Sequence, residues 1–190
     1  MQQRDNIFII YVFFGLIASG KSTLASAWAK QHGLTYYNSD IIRKEIAGTS
    51  GTDGGFAFQQ GIYAEEFTKK TYQGLVDKAV FEVTRGRSVI LDASYRNRAD
   101  RNSLRHMAKK HGAQVRFILC SCPEAELRRR MDERALDPHA VSDGRWEIYL
   151  HQKEVFEDPD ELTVGELLTI QTVAPVNELI DELSRMLISN

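Results

Sequence analysis

The sequence predicts an α/β protein of three layers, a mainly parallel sheet covered by helices on both faces. Five short apolar, β-rich runs lie spread along the chain at 7–14, 34–38, 88–92, 115–120 and 167–172. Helical patterns separate them at 21–32, 62–85, 98–111, 124–134, 143–156 and 176–188. Strands joined through helices pair in parallel, because the connection must carry the chain back to the same end of the sheet. With 190 residues, 43% of them hydrophobic, and neither an internal repeat nor a long linker, the chain reads as a single domain over 1–190.

Each element has its own markers. The run 7–14 is far shorter than the roughly 20 residues a membrane span needs, and a glycine motif follows it, so it reads as a buried strand. The helix at 21–32 ends in Lys30-Gln31-His32-Gly33, and that at 98–111 in Lys109-Lys110-His111-Gly112. Cations complement the negative end of the helix dipole and glycine takes up the left-handed cap, which accounts for His32 and His111 without a catalytic role. The segment 62–85 carries a helical stripe through Phe67, Leu75, Val76, Ala79, Val80 and Val83. Pro123 and Pro175 stand just before helices, where a missing N–H costs little. Cys120 and Cys122, the only cysteines, lie at the end of an apolar run and read as reduced structural thiols.

Two regions lack periodicity: 48–61, with five glycines, and the polar segment 135–143. Ligands of such folds bind beyond the carboxyl ends of the strands, which makes both segments candidates for that rim. Phe56, Phe58 and Tyr63 either line an acceptor pocket there or anchor a surface loop. The net charge of −2 provides no general basic field for nucleic acid. No export signal or membrane span is legible, so a cytoplasmic location is expected.

Gly15-Leu16-Ile17-Ala18-Ser19-Gly20-Lys21-Ser22 fits G-x-x-x-x-G-K-[ST] at every specified position, with a strand entering and a helix leaving. Glycines let the backbone wrap around phosphates and present N–H donors, and the new helix adds its positive end. Gly15, Ala18, Ser19, Gly20, Lys21, Ser22 and Thr23 are the expected phosphate contacts. Lys21 is expected to reach the β- and γ-phosphates of a nucleoside triphosphate, with the Ser22 hydroxyl joining a Mg²⁺ shell.

A triphosphate site alone does not separate kinase, ATPase and GTPase, but three further features bear on the choice. Asp40 and Arg43 follow the second strand, three residues apart and on one side if a helix has begun. A carboxylate there can take a hydroxyl proton and a guanidinium can hold an anion, or Ser39 or Asp40 simply caps the helix. Asp92 ends an apolar strand, where it supports Mg²⁺, contacts the acceptor or caps the next turn. Of Arg96, Arg98 and Arg101, one is expected at the acceptor (Arg96 being the choice) and the others as solvated helix charges. Arg130 and Arg134 share a helix face running into a small lid at about 130–145, and a movable arginine suits a reaction governed by charge neutralisation.

On these residues the chain resembles the P-loop kinases that include the polynucleotide 5′-hydroxyl kinase domain and zeta-toxin-like kinases. It is most similar to small bacterial kinases with an AAA_33-type ATP-binding domain. The resemblance runs from about Ile9 to Phe156 through the glycine motif, Ser39-Asp40-x-x-Arg43, Leu91-Asp92-Ala93, Arg130-x-x-x-Arg134 and Ser142-Asp143. It implies a five-stranded P-loop NTPase sheet of the adenylate-kinase type, Asp40 as acceptor-activating base, Arg43 as acceptor or phosphate contact, and Arg134 as lid arginine. Ala18 stands where the family commonly has glycine, a change tolerated unless that position needs positive φ. The expected activity is transfer of the γ-phosphoryl group of ATP, with Mg²⁺, to a hydroxyl of a small molecule. A polynucleotide 5′-hydroxyl and an acceptor-free regulatory ATPase are the alternatives.

Overall fold

The computed structural model describes residues 7–48, 65–135 and 146–189. Along the chain come β1 (Ile9–Phe14), α1 (Lys21–His32), β2 (Thr35–Asn38), α2 (Ser39–Ile46), α3 (Glu65–Val83) and β3 (Val89–Asp92). There follow α4 (Arg98–Lys110), β4 (Gln114–Ser121), α5 (Glu124–Ala135), α6 (Trp146–Glu154), β5 (Leu167–Gln171) and α7 (Val176–Ser189). All five strands pair in parallel, in the order β2-β3-β1-β4-β5.

Both faces of the sheet are covered, as the run of elements predicts. Because side chains alternate along a strand, Ile10, Val12 and Phe14 enter one cluster with Leu75, Ala79 and Leu104 of α3 and α4. Phe13 points the other way, into a cluster with Leu24 and Trp28 of α1 and Leu179 and Leu183 of α7. The strands buried on both faces therefore read as continuous apolar runs rather than alternating ones. Gly33 ends α1 at φ 62° with its N–H on Ala29 O, and the His32 ring lies 4.0 Å from that of Trp28, so His32 is a packing residue.

The register sets up the site. Asn38 stands opposite Asp92 across β2 and β3, and Asp92 opposite Phe13 across β3 and β1. One row across the carboxyl ends of three strands thus joins the start of α2, a buried carboxylate and the mouth of the glycine motif.

Arg101 departs from the solvated charge that its spacing implies. It is fully buried and bonds Glu161 through Nε at 2.6 Å, Tyr95 O at 2.8 Å and Arg96 O at 3.1 Å. A guanidinium has several donors in a fixed plane, so one side chain can satisfy an entire irregular turn that has no ladder of its own. Arg98 pairs with Asp160 and Glu161 at the surface of the same junction.

Candidate active site

The glycine motif closes over the end of β1 through contacts that leave no room for side chains. A Cβ on Gly15 (φ +133°) would lie 2.4 Å from Cys120 O, and one on Gly20 (φ +81°) 2.8 Å from Thr172 Oγ1. Thr172, just past β5, donates its hydroxyl to Ser19 O at 2.6 Å. Lys21 Nζ rests on Leu16 O at 3.3 Å, inside its own loop. Ala18 has φ +60°, so the condition under which alanine is a poor substitute for glycine is met here. Its methyl is buried in a cluster with Ile17, Leu127, Met131 and Tyr149, which offsets part of the left-handed strain.

The second strand delivers the acidic part of the site, and its cap is a residue the sequence reading passed over. Asn38, rather than Ser39 or Asp40, caps α2: its Oδ1 accepts from Asp40 N at 2.9 Å and Ile41 N at 3.2 Å. The Asp40 carboxylate is thereby released from capping and instead meets Arg43 Nη1 at 3.3 Å. Removal from water pushes the Asp40 carboxyl up; Arg43 and Lys21 oppose that, and Asp92 adds to it. Lys21, Asp40, Arg43 and Asp92 therefore share one electrostatic neighbourhood.

Asp92 is wholly buried. Its Oδ2 accepts from Tyr36 Oη and from Asn38 Nδ2, both at 2.6 Å. Tyr36 sits two residues before Asn38 and so on the same face of β2. Burial first, and then the Asp92 carboxylate, raise the Tyr36 phenol well above its ordinary range, which keeps it a donor; the Ser22 hydroxyl lies beside the same phenol. Asp92 Oδ1 is buried without a hydrogen-bond partner among the described residues. A buried carboxylate oxygen in that condition, linked to the vicinity of Ser22 through the Tyr36 phenol, fits a divalent cation or its water. No cluster of three His, Cys, Asp or Glu side chains stands ready for a metal among the described residues.

Arg96 lies on the turn after β3, half-buried, where its charge acts on Asp100. The turn is tightly held. Tyr95 has φ +39°, its N–H bonds Tyr72 Oη at 3.0 Å, and Arg101 takes its carbonyl. No contact brings the Arg96 side chain to Asp40 or Lys21 among the described residues.

Arg130 differs from a swinging lid residue. Its Nε bonds Glu126 at 2.7 Å, its Nη1 bonds Ala18 O and Thr172 Oγ1 at 3.3 Å each, and its Nη2 bonds Thr172 O. With most of its donors engaged it is a strut between α5, the glycine motif and the end of β5. It still walls a cleft of 420 Å³, together with Gly20, Thr23, Leu24, Thr172 and Ala174. Arg129 is ion-paired at the surface with Glu126 and Glu133, and Arg128 lies over the Trp146 ring at 4.1 Å. Arg134 belongs to the last turn of α5, and its side chain lies outside the described residues. Most of the proposed lid, together with Phe56, Phe58 and Tyr63, also lies outside them.

Residues 10–159 match the AAA_33 family, described as an AAA domain, which is most of the chain. The chain belongs to the AAA_33 family. This AAA_33 chain also resembles solved structures of P-loop kinases. A gluconokinase from Sinorhizobium meliloti matches with TM-score 0.64 at 20% identity, over 98% of this chain and 94% of that one. A sugar kinase from Janibacter matches with TM-score 0.66 at 21% identity over 96% and 95%. A shikimate kinase from Aquifex aeolicus matches with TM-score 0.60 at 16% identity over 96% and 98%. The three-layer P-loop fold and the recognition of a small P-loop kinase architecture are thus borne out. No curated protein matches the sequence. Among the described residues no helix is long and apolar enough to cross a membrane.

Tyr36, Asn38, Gln152 and Thr172 are the neighbours of Asp92 and of the glycine motif that motif reading missed. Tyr36 and Asn38 alternate at the end of a strand beside Asp92, a signal visible only once strand order is known. Gln152 and Thr172 reach the loop from 135 and 153 residues away, and nothing local marks them.

Proposed function

We propose that this AAA_33 protein is an ATP-dependent phosphotransferase acting on a hydroxyl of a small acceptor that also carries an anionic group. The observation that carries the reading is the Asp40 carboxylate, freed from capping by Asn38 and set in one charge cluster with Lys21, Arg43 and Asp92. A nucleotide-driven switch has no need of a second carboxylate, free of capping and paired with an arginine, beside its phosphate lysine, whereas a hydroxyl acceptor needs a proton acceptor. The neighbours named for gluconate, sugar and shikimate phosphorylation favour a small acceptor over a polynucleotide.

In this reading the first N–H groups of α1, which have no intrahelical partners, and Lys21 hold the phosphates. The cleft beside Thr172 and Ala174 takes the nucleoside. Asp40 accepts the acceptor hydroxyl proton as its oxygen bonds to the γ-phosphorus, and the bond from that phosphorus to the β–γ bridging oxygen breaks, leaving ADP. Arg43, with Arg96 on the next strand end, offers cations for an acceptor carboxylate or phosphate, and Arg134 closes over the transferring group. Ser22 and Asp92 would hold Mg²⁺, which when bound would supply charge neutralisation at the phosphates. Screening hydroxylated acids and phosphorylated sugars by ADP release, with acceptor-free hydrolysis subtracted, tests the proposal. Transfer abolished by Asp40→Asn with nucleotide binding retained is the expected result. Unchanged turnover in that variant removes Asp40 from the mechanism, and robust transfer to a 5′-hydroxyl oligonucleotide overturns the small-acceptor assignment.

A further inference from the structure

The peptide between Leu16 and Ile17 is gripped at both ends by side chains. Its carbonyl accepts from Lys21 Nζ at 3.3 Å, and its N–H donates to Gln152 Oε1 at 2.9 Å. A peptide group is a rigid plane, so whatever fixes the N–H also fixes the direction of the carbonyl. The carboxamide has one usable orientation here, since an N–H needs an acceptor and only Oε1 accepts.

Gln152 is on α6, and α6 is itself anchored against the glycine motif. Tyr149 is buried in the cluster with Ile17 and Ala18. Its hydroxyl reaches Glu124 of α5 at 3.1 Å, and Lys153 reaches the same carboxylate at 2.9 Å. From α5, Arg130 takes Ala18 O at 3.3 Å. Two of the three peptides spanning residues 16–19 are thus held by side chains of α5 and α6, with the strained Ala18 between them. The Leu16–Ile17 peptide lies one residue before the left-handed Ala18, and its carbonyl also accepts from Ser19 N at 3.2 Å. Gln152 thus fixes the N–H end of a plane whose other end carries both Lys21 and Ser19. Rotation of this peptide would withdraw from Lys21 the carbonyl on which its ammonium rests.

We propose that Gln152 is a positioning residue that acts through the Leu16–Ile17 peptide to set the Lys21 ammonium for the terminal phosphate of a nucleoside triphosphate. The inference rests on the nucleotide-binding reading of the loop, and it does not depend on the acceptor. Its test is the affinity for the non-hydrolysable triphosphate AMPPNP relative to that for ADP, each with Mg²⁺, measured by calorimetry. The ratio reports the contact with the terminal phosphate. Gln152→Leu should lower it about 5- to 10-fold, within the range of coupling between neighbouring groups. Gln152→Glu, which keeps an acceptor for the Ile17 N–H, should recover at least half of that loss. In a Lys21→Ala background, Gln152→Leu should change the ratio by less than about 2-fold, because the group it positions is gone. The Ile17 amide proton should move upfield in Gln152→Leu, which reads the lost hydrogen bond directly. An unchanged ratio in a folded Gln152→Leu protein overturns the proposal. So does a full further loss in the Lys21→Ala background, or Gln152→Glu as impaired as Gln152→Leu. Wild-type protein that binds neither nucleotide overturns the underlying reading of the loop instead, and this inference falls with it.

Discussion

Asn38 donates its carboxamide N–H to Asp92 Oδ2 at 2.6 Å while its oxygen caps α2, so one side chain ties the helix bearing Asp40 to the strand bearing Asp92. Both polar ends of the amide are engaged, and neither aspartate nor serine supplies a donor and two-way acceptor at that reach. Asn38→Ala should lose the cap and the bond together, for a cost of about 2 kcal/mol. Asn38→Asp keeps the cap but sets a new carboxylate against that of Asp92, raising the pKa of the introduced carboxyl in the folded state. Its stability should therefore be greatest in acid and fall as pH rises through that raised value. Denaturant titrations of both variants at pH 5 and pH 8 check this. An Asn38→Asp protein equally stable at both values would show that the Asp92 contact carries little.

Asp40 should titrate above the ordinary aspartate value of 3.8, because burial outweighs the cations around it. Arg43→Met removes the strongest opposing charge and should push the midpoint further up. Asp92→Asn removes a repelling charge and should bring it down. The Asp40 carboxyl ¹³C shift, followed against pH in each variant, reads both movements without requiring turnover. In the kinase reading, the acid limb of the rate profile should follow the same order for Arg43→Met, since only the ionised carboxylate accepts a proton.

Arg101 and Glu161 form an almost wholly buried ion pair, with Arg101 also carrying the carbonyls of Tyr95 and Arg96. Arg101→Met leaves Glu161 to the surface Arg98, deprives the carbonyls of Tyr95, Arg96 and Asp158 of their donor, and should destabilise by about 3–5 kcal/mol, a melting shift on the order of 10 °C for a chain of this size. Burial alone would raise the Glu161 pKa, but the hydrogen bonds and charge of Arg101 hold it below 4.5. Its stabilisation is present above that value and is lost as pH falls through the lower folded one. Thermal melts between pH 3 and pH 7 should show this acid loss in the wild type and a weaker one in Arg101→Met.

Ala18 poses a balance of small terms. A left-handed alanine costs about 1–2 kcal/mol, whereas glycine there would forfeit about 0.8 kcal/mol of methyl burial and about 0.5–1 kcal/mol of backbone entropy. Ala18→Gly should thus be neutral to within about 1 kcal/mol. Ala18→Val should lose more than about 2 kcal/mol, since a β-branched residue suits neither the positive φ nor the closed cluster. Urea denaturation of the two variants decides it. A loss above 2 kcal/mol for Ala18→Gly would place the weight on packing instead of strain.

The order of strands and helices, the phosphate loop at 15–22 and the candidate residues Asp40, Arg43 and Asp92 were legible in the sequence, because each rests on local chemistry. Periodicity reports burial along one element, glycines and cations report helix ends, and a motif of eight neighbours carries its own geometry. The solvated reading of Arg101 and the cap assigned to Ser39 or Asp40 failed for one reason. A polar residue finds its partner in three dimensions, and Glu161, Asp92 and Asn38 are brought to theirs by strand register and chain return. The glycine motif shows the same division. Its sequence states which residues can cradle phosphates, while the left-handed Ala18, the Thr172 brace and the Gln152 hold on the Leu16–Ile17 peptide arise only where β5, α5 and α6 pack against it. Backbone conformation at such a loop is set by neighbours 100 or more residues distant, and no local pattern encodes them.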